Sequence, residues 1–63
     1  MEKFTIKQIR VGLNMTQKEM GDFLGISEVA YRKKEKGYTP FLFTEVIKIC
    51  ELAKVDVSKV KEN

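Results

Sequence analysis

The sequence contains no histidine, and Cys50 is its only cysteine. These absences remove the usual zinc ligand sets and leave no pair of thiols for a disulfide. They also remove the commonest general base for a serine or cysteine nucleophile. No stretch approaches the ~18–20 apolar residues of a membrane span, and the N-terminus has no apolar run like a secretory signal. A chain of 63 residues has little room for a substrate cavity. A domain this small buries only about 60% of its unfolded surface, so its margin of stability is thin. Catalysis is therefore not expected, and no cofactor or metal is implied. The chain is read as cytoplasmic, with Cys50 a free thiol and no repeat, low-complexity tract or linker.

What is present is a mild basic excess, a net charge of +3, whose distribution matters more than its total. Arg32, Lys33, Lys34 and Lys36 put four cations in five positions, interrupted only by Glu35. Charge alone does not separate a solvated helix face from a phosphate-facing patch. Every periodic segment has a helical period, and no run alternates long enough for a strand. An all-α fold of five short helices fits the punctuation. The first runs from about Thr5 to Leu13, with Thr5 as cap, Ile6, Ile9 and Leu13 on one face, and Asn14 suited to the left-handed ending. The fourth runs from about Thr44 to Lys54, with Val46, Ile47, Ile49, Cys50 and Ala53 as a wide apolar stripe. Asp56 can cap a fifth, with Val57 and Val60 three apart.

The most informative segment runs from Thr16 to Ser27. Thr16 followed by Glu19 has the capping-box spacing, Gly25 stands where a positive φ is wanted, and Ser27 caps the next helix, which ends near Lys36. Two helices joined by so short a turn cross steeply. Gly21 sits in mid-helix, where glycine costs about 1 kcal/mol against alanine. Close approach of the next helix gives that cost a reason.

With these residues in place, the chain resembles the Cro/C1-type, lambda-repressor-like helix-turn-helix domains of the XRE family. The matching pieces are Ile6 to Arg10, Met15-Thr16-Gln17, Met20-Gly21, Leu24 to Ser27, Glu35-Lys36-Gly37, Pro40, and Val55-Asp56-Val57 with Val60. Each piece is weak alone; their order and spacing are specific. Tyr31 to Gly37 looks like phage repressors of Gram-positive hosts. The resemblance implies one domain over residues 1–63, with the helix-turn-helix at 17–36 and the third helix in the major groove of operator DNA. Carried over residue by residue, Glu28, Val29, Arg32 and Lys33 are the base-facing set. Lys33 can donate to guanine, Glu28 can accept from cytosine or orient a cation, and Val29 can touch a thymine methyl. Glu28 has the alternative of stabilising the helix dipole. Gln17, Ser27, Lys36, Tyr38 and Thr39 match backbone-contacting positions. Arg10 and Glu35 match an ion pair that ties the first helix to the end of the third.

Two positions depart from the family pattern. Tyr31 stands where Val or Ile is usual, and is expected to turn its ring inward and keep its hydroxyl in water. Lys34 stands where a large apolar residue is usual, and is expected to lay its stem over the core with its ammonium outside, in reach of a phosphate. The Phe41-Leu42-Phe43 turn is long and apolar, part core and part candidate interface. Family members bind as dimers on two half-sites, so a Cro-like repressor that dimerises through its last two helices, or on DNA, is the expectation. Phe43, Val55, Val57 and Lys59–Asn63 are the candidate contacts. The alternative is a protein-interaction module on the same fold, an antirepressor or antitoxin.

Overall fold

A computed structural model describes residues 2–61. Four α-helices follow one another: α1 (Ile6–Gly12), α2 (Gln17–Leu24), α3 (Glu28–Glu35) and α4 (Phe43–Ala53). Short-range chemistry sets their starts. Thr5 and Thr16 accept from the amides of Gln8 and Glu19, whose side chains accept in turn from the threonine amides. Both boxes satisfy amides that a helix start leaves unpaired. Ser27 Oγ accepts from the Ala30 amide. The fourth helix starts just before the expected Thr44, because the Glu45 carboxylate accepts from the Leu42 amide at 2.8 Å and does the capping without a hydroxyl.

All four helices end alike. Asn14, Gly25, Gly37 and Lys54 take φ of 60, 77, 86 and 57°. The next amide then reaches back over the turn: Met15 to Arg10 O, Ile26 to Gly21 O, Tyr38 to Lys33 O and Val55 to Cys50 O. This is the left-handed ending that satisfies stranded carbonyls and folds the following side chain inward. Met15, Ile26 and Val55 do fold onto the core. Tyr38, in the corresponding place, is 75% exposed.

Each helix contributes to one core: Ile6 and Ile9 from α1, Met20 and Leu24 from α2, Tyr31 from α3 and Ile49 from α4. Phe41 seals one side with its ring edge-on to Tyr31, centroids 5.9 Å apart, while Leu42 and Phe43 are exposed. The turn thus divides between core and surface.

The expected fifth helix is corrected to a single 3-10 turn, Val57–Lys59. Two competing interactions stop it. The Asp56 carboxylate accepts from the Ser58 amide, two residues on, and Val60 adopts extended backbone beside Phe4. The Phe4 amide donates to Lys59 O at 2.7 Å, and the Lys61 amide to Phe4 O at 2.9 Å. A continuing helix would forfeit both bonds. Among the described residues this isolated bridge is the only extended pairing, and no helix is long and apolar enough to cross a membrane. Of the expected C-terminal contacts, Glu62 and Asn63 lie outside the described residues.

Candidate nucleic-acid interface

The α2–α3 unit is built on two glycines. Gly25 supplies the left-handed residue of the turn. Gly21 faces the turn backbone, where an added Cβ would lie 3.1 Å from Ile26 O and 3.3 Å from Ser27 O. The close approach is therefore to the carbonyls that lead into α3. Ser27 O in turn accepts the first bond of α3, from the Tyr31 amide at 2.9 Å, so these contacts set where α3 begins.

The sequence of α3 divides its surface. Tyr31 and Glu35 are buried, four apart, and face the core. Val29, Lys33 and Lys36 are exposed at spacings of four and three on the opposite side,. Lys33 and Lys36 have no acidic partner among the described residues. Beside them, Arg32 Nη2 donates to Glu28 Oε2 at 2.8 Å. Ser27, Tyr38 and Thr39 are exposed at the two ends of this face. The structure thus brings Val29, Arg32, Lys33 and Lys36 onto one outward stripe. It binds Glu28 to Arg32 rather than leaving it open to a base.

Behind the stripe lies a continuous polar cluster. Arg10 Nε and Nη2 donate to the two Glu35 oxygens at 2.9 and 3.3 Å, and Nη1 donates to Met15 O at 2.8 Å. The Tyr31 hydroxyl donates to Glu35 Oε2 at 2.6 Å, and Gln17 Nε2 to Glu35 Oε1 at 3.0 Å. The Tyr31 expectation is corrected here: its ring is in the core, but its hydroxyl is buried against Glu35 rather than wet. A phenol four residues before a carboxylate on the same helix face reaches it without crossing water. The Lys34 expectation is corrected as well. Its ammonium turns back to Glu45 Oε1 at 3.0 Å and Pro40 O at 3.1 Å, leaving the side chain 15% exposed. The buried Glu45 carboxylate draws it inward, because a charge out of water needs a partner.

These contacts have an electrostatic signature. Burial alone would raise the Glu35 carboxyl, but hydrogen bonds from Arg10, Tyr31 and Gln17 outweigh it and hold Glu35 below the usual carboxylate range. Burial, then the Glu35 carboxylate, holds the Tyr31 hydroxyl well above the usual tyrosine range. The Glu35 contribution is fully present above the ordinary glutamate pKa of about 4.3 and is lost as pH falls from there through the lowered value. The Tyr31 contribution is fully present below the ordinary tyrosine pKa of about 10 and is lost as pH rises from there through the raised value. A plot of urea midpoint against pH is therefore expected to fall at both extremes. Tyr31→Phe should flatten the alkaline limb and also shallow the acid one, because it removes one of the three bonds that hold Glu35 low. An alkaline limb unchanged in that variant would show that Tyr31 does not cause it.

Gln17 is half-buried, with both ends of its amide engaged: Nε2 on Glu35, and Oε1 accepting from Arg32 Nε at 3.3 Å. The sequence reading of Gln17 as a surface contact missed this bridging place. The residues that form it lie 15 and 18 positions away, so no local spacing signals it. The Tyr31–Glu35 bond was signalled by its i, i+4 spacing. The Lys34–Glu45 pair had no comparable signal, since it depends on the path of the intervening turn.

A helix-turn-helix family model (HTH_3) matches residues 6–60. No curated protein and no solved structure matches the chain.

Proposed function

Because the chain belongs to the Cro/C1-type helix-turn-helix family of DNA-binding regulators, we propose that it is a phage Cro-like repressor that reads operator half-sites with α3 in the major groove. The observation that carries this is the outward stripe of α3. Val29 and Lys33 stand exposed, Arg32 lies beside them, and Lys36 continues the line towards Tyr38 and Thr39. Lys33 and Arg32 suit guanine O6 and N7, and Val29 suits a thymine methyl. Ser27, Lys36, Tyr38, Thr39 and the main-chain amide of Gln17 suit the flanking phosphates. Glu28 serves first to hold Arg32. Residues 1–63 act as one DNA-binding domain.

Two copies are proposed to bind as a homodimer formed on DNA. Half-sites one helical turn apart are separated by ~34 Å, and the domain measures 32 × 22 × 19 Å. Adjacent copies on one face of the duplex come within side-chain reach of each other when the long axis of the domain runs along the DNA. Phe43, Val57 and Lys59 are candidates for that contact, since Phe43 and Lys59 are exposed and Val57 is half-buried; Val55 is also half-buried but is packed onto the core.

The test is a titration against a random-sequence duplex pool at two salt concentrations, followed by sequencing of the bound DNA. A two-fold symmetric motif, with affinity falling steeply with salt, is expected. Salt-sensitive binding without any motif would defeat the operator reading. Lys33→Ala should relax the base preference at one position and cost about 1–3 kcal/mol at the preferred site. An unchanged base profile in that variant would show that Lys33 is not in the base-reading register. Exposed Leu42 and Phe43, adjacent in the chain, favour a second role, a protein-interaction module of the antirepressor or antitoxin kind. Neighbouring apolar side chains in water are suited to a protein partner.

A further inference from the structure

Gln17 connects the buried cluster to the outward stripe, and its amide can point only one way. Glu35 is a carboxylate and only accepts; the Arg32 guanidinium only donates. Turning the amide over would set oxygen against oxygen at Glu35 and N–H against N–H at Arg32. Glu35 is itself held by Arg10 and Tyr31, so the polarity of Gln17 is imposed from inside the domain.

From this geometry we infer that Gln17 is a positioning residue, which relays the fixed Glu35 carboxylate to Arg32 and presets the Arg32 guanidinium as a base-reading fork. The inference rests on the operator-binding reading above. Gln17 Oε1 takes Nε of Arg32 at 3.3 Å and Glu28 Oε2 takes Nη2 at 2.8 Å. The guanidinium is held at two atoms, Nε and Nη2, along one edge. Of its five N–H groups, both on Nη1 and one on Nη2 remain without a partner among the described residues,. Those two terminal nitrogens form the planar pair of donors that matches guanine O6 and N7. An arginine already fixed in that pose loses less side-chain freedom on binding than a loose one. It also tolerates a misplaced acceptor less well, so the relay sharpens selectivity as well as affinity. Loss of a side chain at position 17 that touched only phosphate would weaken binding to all DNA sequences alike.

The experiment compares base profiles, from the same pool selection, of wild type, Arg32→Lys and Gln17→Met. The Met side chain keeps the length of Gln17 and removes its donor and acceptor. The expected result is that Gln17→Met loses roughly tenfold of preference at the base pair where Arg32→Lys loses it, with the other positions within about twofold. Uniform weakening at every position would overturn the inference and return Gln17 to a phosphate contact. Gln17→Asn, too short to bridge Glu35 and Arg32, is the second variant and should give the same local loss. If neither variant retained a cooperative melt, the role would be structural and the inference overturned. A wild-type protein that selects no motif defeats the operator reading itself. A wild-type motif left unaltered by Gln17→Met defeats only the relay.

Discussion

Glu35→Ala is expected to leave no cooperatively folded protein at 25 °C. The substitution strands three groups at once: the Arg10 guanidinium, whose side chain is 11% exposed, the Tyr31 hydroxyl and the Gln17 amide. Removing one partner of a buried ion pair costs about 3–5 kcal/mol, because the other charge is left without compensation. An orphaned buried hydroxyl adds about 1–3 kcal/mol. At roughly 0.05–0.15 kcal/mol per residue a chain of this size has only about 3–9 kcal/mol in total, so the loss is comparable to all of it. Far-ultraviolet circular dichroism during urea titration should show a cooperative transition for wild type and a featureless slope for the variant. A midpoint close to wild type would mean that the cluster is incidental to folding. Replacing both partners with apolar residues, Arg10→Met with Glu35→Leu, should be less damaging than Glu35→Ala, since it strands no buried charge.

The second large effect is expected at Gly21. A leucine there must place its Cβ 3.1 Å from Ile26 O and 3.3 Å from Ser27 O, and the rest of the side chain has to find room beyond it. Neither atom is the free end of a flexible side chain. Ser27 O already holds the Tyr31 amide, so moving it loosens the first turn of α3. Overpacking of this kind costs about 1–3 kcal/mol or more, and the gain of about 1 kcal/mol from removing a helical glycine does not offset it. A net loss of about 1–2 kcal/mol lowers the melting temperature by roughly 4–16 °C, at about 4–8 °C per kcal/mol for a domain of this size. Thermal denaturation monitored by circular dichroism measures it directly. An unaltered melting temperature would refute the close-approach account of the α2–α3 turn.

The parts of the fold that were legible in the sequence are those governed by chemistry within a few residues. Thr16 with Glu19, Ser27, Asn14 and Gly25 announce helix boundaries because a cap and its amide are neighbours along the chain. The fifth helix was misjudged for the opposite reason. Asp56 and the spacing of Val57 and Val60 are local helix signals, but the extended backbone of Val60 is fixed by Phe4, far away in sequence. In the site, the outward residues of α3 were picked out by the family resemblance, carried over residue by residue. Arg10 and Glu35 lie 25 residues apart, and only the family resemblance linked them beforehand. The bridging place of Gln17 and the inward turn of Lys34 belong to tertiary geometry. Each depends on a partner on another element, and polar residues at a helix start or on a basic helix face carry no mark of which partner they will meet.

The bridge between Phe4 and Val60 also has a topological consequence. Its two hydrogen bonds clip together segments 56 positions apart in numbering, so the folded chain behaves almost as a closed ring. Phe4 and Lys61 therefore lie side by side at one pole of the domain. A short linker across that pole would seal the chain into a ring without redirecting any helix.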